Sequence, residues 1–201
     1  MGPYRDIPMR FALALSGVVL VVLALLTALL VYLRVTGLRT GGESGAIETS
    51  LARAARRVAI PSAIRTMANP VPKSAEAVAD GMAHFADHCA VCHANDGSGD
   101  TEMGRGLYPK APDMRLAPTQ QISDGELFYV IEHGIRFTGM PGWRNGTKEG
   151  EESSWRLVHF IRHLPMLTAA ELDAMKARNP RSPEEIRFEI EEERFLHQGA
   201  Q

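Results

Sequence analysis

Cysteine is scarce. Cys89 and Cys92 are the two cysteines in 201 residues, which excludes the disulfide framework of a small secreted scaffold. Charge is not in excess of either sign: 22 Lys and Arg stand against 24 Asp and Glu, for a formal net charge of -2. A nucleic-acid-binding domain ordinarily carries a clear basic surplus, so no nucleic-acid partner is expected. No stretch alternates apolar and polar residues over a useful length, and no segment repeats, which removes strands and solenoids from consideration. The chain outside its N-terminal apolar run is therefore expected to be all-α.

One long apolar run is present. Phe11 to Leu33 holds 23 residues without a charge. At about 1.5 Å per residue a helix of that length reaches about 34 Å, and the hydrocarbon core of a bilayer is about 30 Å thick. A signal peptide has a shorter apolar region, about 7–15 residues, followed by a small-residue cleavage pattern. Here Ala12-Leu13-Ala14 lies at the wrong end of the run. The expectation is an uncleaved transmembrane anchor over 11–33, preceded by residues 1–10. Arg5 and Arg10 before the run are balanced by Arg34 and Arg39 after it, so positive charge alone does not orient the helix.

Residues 34–73 read as a basic linker. Arg39 to Gly45 is turn-rich, Leu51 to Ile60 predicts a short helix stopped at Pro61, and Arg34, Arg39, Arg53, Arg56, Arg57, Arg65 and Lys73 oppose Glu43 and Glu48. Such a segment suits either anionic headgroups or plain solvent. Asn69-Pro70-Val71-Pro72 predicts a stiff extended lead into the next domain. Helix starts are then readable at Ser74, with Val78, Met82, Phe85 and Cys89 at helical spacing. Ser123-Asp124-Gly125-Glu126 and Thr168-Ala169-Ala170-Glu171 are capping boxes, and Gly134 is a stop. Ser154 predicts the cap of a helix bearing Leu157, Val158, Phe160, Ile161 and Leu164, ended by Pro165. Ser182-Pro183-Glu184-Glu185 opens a final helix to about His197. That helix is acidic: Glu184, Glu185, Glu189, Glu191, Glu192 and Glu193 stand against Arg187 and Arg194. It suits a basic partner or a solvated face.

Both cysteines belong to Cys89-Ala90-Val91-Cys92-His93. Two thiols at this spacing form thioethers with the two vinyl groups of haem, and the histidine directly after them reaches the iron from one face. A zinc site needs two further ligands in compatible geometry, and a thiol redox pair sits in a βαβ setting that this chain lacks. One covalent haem c with its iron is therefore expected, with His93 as one axial ligand. For the sixth position nine methionines are available. Met140 stands out in Thr138-Gly139-Met140-Pro141-Gly142-Trp143, where glycines and a proline shape a loop through which a thioether approaches iron closely. Met114 and Met103 follow as candidates, and His133, His159 and His163 are the bis-histidine alternatives. Arg136 and Trp143 flank the loop as candidate propionate contacts.

These residues resemble class I cytochromes c, over roughly residues 78–165. Gly81-x-x-x-Phe85-x-x-x-Cys89-x-x-Cys92-His93 resembles the family's first helix running into the haem motif. Trp155-x-x-Val158-x-Phe160-Ile161-x-x-Leu164 resembles the last helix that packs on it. Pro112-Asp113-Met114 resembles the Pro-x-Leu stretch, and Gly139-Met140-Pro141-Gly142-Trp143 the distal loop. The resemblance implies that the Pro112 carbonyl accepts the Nδ1–H of His93. It also implies attachment of haem outside the cytoplasmic membrane, so residues 1–10 would be cytoplasmic and 34–201 periplasmic in a bacterium.

The organisation expected is thus an anchor at 11–33, a linker at 34–73, a compact cytochrome c haem domain at 74–166 and a helical, partly acidic tail at 167–201. The expected function is single-electron transfer, as a tethered shuttle or a subunit of a respiratory complex. Its partners would be the membrane and redox proteins, with no small-molecule substrate and no catalysis of its own. The competing reading is a haem enzyme of peroxidase type, or a gas sensor, either of which needs a labile sixth ligand.

Overall fold

The computed structural model describes residues 9–37, 44–180 and 183–198. These are helices and connecting turns, with no strand among the described residues. The chain divides into two compact units, Met1–Thr40 and Gly41–Gln201. The first holds a single helix, α1 (Met9–Thr36). Its Phe11–Val35 segment is long and apolar enough to cross a membrane, and none of it is buried against protein. The N-terminal segment 1–10 falls largely outside the described residues, as does the stretch from Arg39 to Glu43.

The second unit opens with α2 (Ala46–Ala59), which begins five residues before the start expected at Leu51 and ends just ahead of Pro61. Then come α3 (Ser62–Arg65), α4 (Ala75–His84), a π-helical turn (Phe85–Cys89) and α5 (Ala90–His93). After these lie α6 (Glu102–Gly106), α7 (Ala117–Gln120), α8 (Asp124–His133) and α9 (Lys148–His163). A 3-10 turn (Leu164–Met166), α10 (Ala169–Lys176) and α11 (Pro183–Gln198) complete the chain. The cap expected at Ser182 lies outside the described residues.

The principal packing is α4 across α9. Gly81 makes it possible: a Cβ there would overlap the Arg156 carbonyl oxygen and stand 3.0 Å from Phe160 Cβ. Phe85 and Phe160 then meet with ring centroids 5.1 Å apart. Around this crossing lie Leu127, Ile131, Trp155, Leu157, Val158, Ile161 and Leu164, all buried. Phe128 stacks on Trp155 at 4.1 Å. Met175 of α10 is fully buried against the same core. Ile60 is buried as well, and Gly125 leaves no room for a Cβ beside the Ile64 carbonyl, so α3 lies close on the start of α8. The Asn69–Pro72 lead is stitched down rather than loose. Asn69 Nδ2 donates to the Trp155 carbonyl at 2.9 Å, and the Val71 carbonyl pairs with His159 Nε2 at 2.7 Å.

Three helix starts stand as expected. Ser74 Oγ accepts from the Ala77 N–H, and Ser123–Glu126 and Thr168–Glu171 close reciprocal capping boxes. Ser154 is a correction. The helix is capped by Thr147, whose hydroxyl accepts from the Gly150 N–H at 3.0 Å. Ser154 instead lies buried two turns in, with its Oγ 2.6 Å from Glu132 Oε1. The first two turns of α9, Lys148–Ser153, are nearly all polar, so they carry no apolar period that would mark them as helix.

Candidate haem site

The helix that leads into Cys89 changes pitch on the way. Ala77, Gly81 and Phe85 are buried at intervals of four, and the next buried positions are Ala86 and Ala90. The stripe therefore advances by one residue at Phe85. The cause is the π turn, closed by the Ala90 N–H donating to the Phe85 carbonyl. One extra residue rotates everything after it by about 100°. The stripe expected from the sequence, Val78, Met82, Phe85 and Cys89, is corrected accordingly: Val78, Met82 and Cys89 lie partly buried at its margin. The turn ends on Cys89, so it sets the direction in which α5 presents Cys92 and His93.

His93 closes α5, and Ala94 then takes φ 58°, a conformation uncommon outside glycine. This turns the chain sharply under the motif. The Gly99 N–H donates to the His93 carbonyl and the Met114 N–H to the Gly97 carbonyl, both at 2.8 Å. Arg115 fastens the two sides: Nη1 donates to Asp96 Oδ2 at 2.8 Å, while Nη2 and Nε reach the two oxygens of Asp113 at 2.7 and 2.9 Å. Arg115 holds the Asp113 carboxyl below its usual range, chiefly through these hydrogen bonds. Pro112 is thereby carried beside the motif. A Cβ on Gly99 would come within 3.2 Å of the Pro112 carbonyl oxygen.

The His93 ring lies 6.5 Å from the Phe85 ring. Its Nδ1 is buried and has no formed hydrogen bond. Burial lowers its pKa from the ordinary value, and the Pro112 carbonyl opposes that in part. The result is a neutral imidazole at neutral pH, the form that ligates a metal. Burial, with a smaller contribution from Cys92, pushes the Cys89 thiol up to about 12. Cys92 is raised by burial too. A redox pair needs a ready thiolate, and Cys89 does not supply one. Among the described residues no three His, Cys, Asp or Glu side chains converge as metal ligands.

Met140 sits on a closed loop after α8. Gly134 ends that helix at φ 68°. The Ile135 N–H donates to the Met140 carbonyl at 3.1 Å, and the Met140 N–H to Thr138 Oγ1 at 3.1 Å. The loop then returns to its own helix through Trp143 N–H to the Ile131 carbonyl and Arg144 N–H to the Glu132 carbonyl. Two contacts tie it to the cysteine motif. A Cβ on Gly139 would stand 3.0 Å from Leu107 Cδ1, and Leu107 follows α6, whose Gly104 fits tightly under the Cys92 carbonyl. On the other side the Trp143 ring meets His88 edge-on, centroids 5.3 Å apart. Met140, half-buried, and the Cys89–His93 segment thus border the same end of the unit.

The remaining candidates are engaged elsewhere. Met114 is packed in the core, and Met103 is 54% exposed on α6. His159 is held by the Val71 carbonyl, and His163 Nε2 lies 2.8 Å from Glu171 Oε1. His133 is exposed and stacks on Tyr129. Arg136 is also exposed. Phe137 stands out in the structure although nothing in the sequence marks it. It is 93% exposed with φ 63°, the most exposed large apolar side chain among the described residues.

The donor set fits haem c: two cysteines one helical turn apart, a neutral, half-buried imidazole directly after them, and an uncharged thioether on a tied loop nearby. Residues 76–161, 86 of the 201, match the family model described as cytochrome c oxidase, cbb3-type, subunit III. That segment runs from the first turn of α4 to the buried part of α9, and it holds the cysteine motif, Pro112 and Met140. The chain is helical among its described residues, with one N-terminal helix apolar enough for a membrane span, and residues 76–161 are similar to a c-type cytochrome domain, which supports haem-based electron transfer.

Proposed function

We propose that this chain is a membrane-tethered electron carrier with one haem c, working as a shuttle or as a subunit of a respiratory complex. The observation that carries the reading is the Cys89–His93 motif inside a cytochrome c domain, in a chain whose two cysteines allow one covalent attachment. When bound, haem c supplies a one-electron Fe(III)/Fe(II) couple.

The residues have separable tasks. Cys89 and Cys92 would hold the group by thioether bonds, for which a neutral, half-buried thiol is adequate. His93 would offer a neutral ring nitrogen, and the neighbouring Pro112 carbonyl is the acceptor that its Nδ1–H, not bonded in this structure, would take to orient the ring. Met140 offers a thioether that carries neither charge nor proton. As a ligand it would need no proton gained or lost when the oxidation state changes, and the loop's own hydrogen bonds hold it in place without the metal. Thr138 and Trp143 keep the loop from opening to water. His93 and Met140 would together hold the iron from the protein, which favours a carrier over an enzyme that binds oxygen or peroxide.

The α1 helix would confine the domain near its partners and raise their effective concentration. The matching family is named for an oxidase subunit, which favours redox proteins of a respiratory chain as those partners. The placement we propose is the bacterial cytoplasmic membrane, with the domain on the periplasmic side. Redox potentiometry of the full chain and of Met140→Ala tests the ligand set. The variant is expected to show a lower potential and an altered visible spectrum. An unchanged potential and spectrum would remove Met140 from the site.

A further inference from the structure

Helix α2 is amphipathic the wrong way round for a helix packed on a protein. Its apolar positions Ile47, Leu51, Ala54 and Val58 recur at intervals of four, three and four, and so share one face. That face is bare: Ile47 is 79% exposed, Leu51 66% and Val58 87%. The side turned toward the rest of the unit is the polar one. Thr49 and Arg56 are the half-buried residues of the helix. Glu48 Oε2 accepts from the Tyr108 hydroxyl at 2.5 Å, and Arg65 Nη1 donates to the Arg57 carbonyl at 2.9 Å. Apolar area left in water by a helix that buries its polar side indicates that something outside the unit covers it.

The charge identifies the cover. Arg53 and Arg57 flank the stripe on one side, and Arg56 and Arg65 add to the surplus. Glu48 is the one acid between residues 44 and 73, and it is taken up by Tyr108. A second copy would bring its own arginines to the same stripe. Anionic phosphates with acyl chains beneath them complement both features, and a short, Arg-rich helix with one apolar face is the form that lies in a bilayer interface. Covalent reach agrees. Nine residues separate the end of α1 from the start of α2, about 32 Å even when fully extended. An α1 that spans a bilayer therefore leaves α2 within reach of its surface.

We propose that α2 is an interfacial helix that lays Ile47, Leu51, Ala54 and Val58 into the headgroup–acyl boundary of an anionic bilayer, with Arg53 and Arg57 on the lipid phosphates. The inference rests on the reading of α1 as a membrane tether. Its consequence is that the cytochrome domain, held to α2 through its polar side, presents a constant face to the membrane instead of swinging on a free linker.

The test is spin-label accessibility in the full haem-loaded chain. Leu51→Cys reports the apolar face and Ala52→Cys the side away from it; both positions are exposed. The chain is reconstituted in vesicles of phosphatidylcholine with phosphatidylglycerol, and in phosphatidylcholine alone. Flotation after carbonate washing reports the tether separately. In anionic vesicles the ratio of oxygen to nickel-chelate accessibility is expected to be at least about three-fold higher at position 51 than at 52. The contrast should shrink in neutral vesicles and in Arg53→Gln/Arg57→Gln. Equal ratios at both positions in a chain that floats would overturn the inference and leave the tether intact. Protection at 51 that ignores lipid charge but disappears in single-copy nanodiscs would assign the stripe to a second copy, and also overturns it. A chain that does not float refutes the tether, and α2 binding then stands only if the contrast between 51 and 52 persists.

Discussion

Substituting Gly81→Ala tests whether the α4–α9 crossing is as close as described. In an open helix the change would stabilise the chain by about 1 kcal/mol, because alanine is the better helix former. Here the added Cβ would stand 2.7 Å from the Arg156 carbonyl carbon and 3.0 Å from Phe160 Cβ, where ordinary contacts are 3.4–4 Å. The nearest obstacle is backbone, which cannot rotate away, so the helices must part by about 1 Å, with overpacking of this kind costing about 3 kcal/mol at the upper end. A gap of that size also forfeits a quarter to a half of each dispersion contact across it, the Phe85–Phe160 pair included. Net of the propensity gain, the loss is about 2 kcal/mol, or about 6 °C in the melting midpoint of a unit of this size. Gly106→Ala is the control. Nothing lies within 4 Å of its Cβ position, so that variant should match the parent or gain up to about 1 kcal/mol. Thermal melts of both haem-loaded variants, followed by circular dichroism, make the comparison. A Gly81→Ala protein that melts with Gly106→Ala would refute the packing argument.

Two further outcomes follow from buried and charged groups. Ser154→Ala removes the hydroxyl that Glu132 receives at 2.6 Å, and both side chains are buried. Leaving that carboxyl without its donor should cost about 2 kcal/mol in urea unfolding, and a loss under about 0.5 kcal/mol would contradict it. Arg115→Gln should cost about 1 kcal/mol near pH 7, a modest figure because the clamp is partly solvated. The Asp113 carboxyl is held low in the folded chain. Its contribution is therefore complete above the unfolded value of about 4 and disappears as pH falls through the lower folded value. The gap between parent and variant should shrink on acidification to about pH 3, and a gap that widens would reverse the assignment.

The parts legible in the sequence were those written in local chemistry. Ser74, the Ser123–Glu126 and Thr168–Glu171 boxes and Gly134 mark helix ends through their own hydrogen bonds or conformation. Such signals survive in one dimension. Cys89, Cys92 and His93 are equally readable because their spacing is itself the chemistry. The π turn was not legible, since a period of 3.6 carried through Phe85 to Cys89 gives a plausible stripe, and only the Ala90–Phe85 hydrogen bond and the shift of burial to Ala86 and Ala90 reveal the extra residue. Thr147 was hidden behind two polar turns that show no period. Ala94 and Phe137 carry no glycine to announce their positive φ. The outward-facing stripe of α2 was hidden for another reason. Its periodicity is readable, but which side meets protein depends on Thr49, Arg56 and the distant Tyr108.

A carrier of the proposed kind would need a protein ligand on each face of its iron. The reduced visible spectrum of the detergent-solubilised full chain, recorded before and after carbon monoxide, tests this directly. With His93 and Met140 in place the spectrum is expected to stay the same, as in a carrier whose coordination is complete. A prompt shift of the haem bands would mean an open or easily opened position, contradicting Met140 as a firm ligand and pointing instead to an enzyme or a gas sensor.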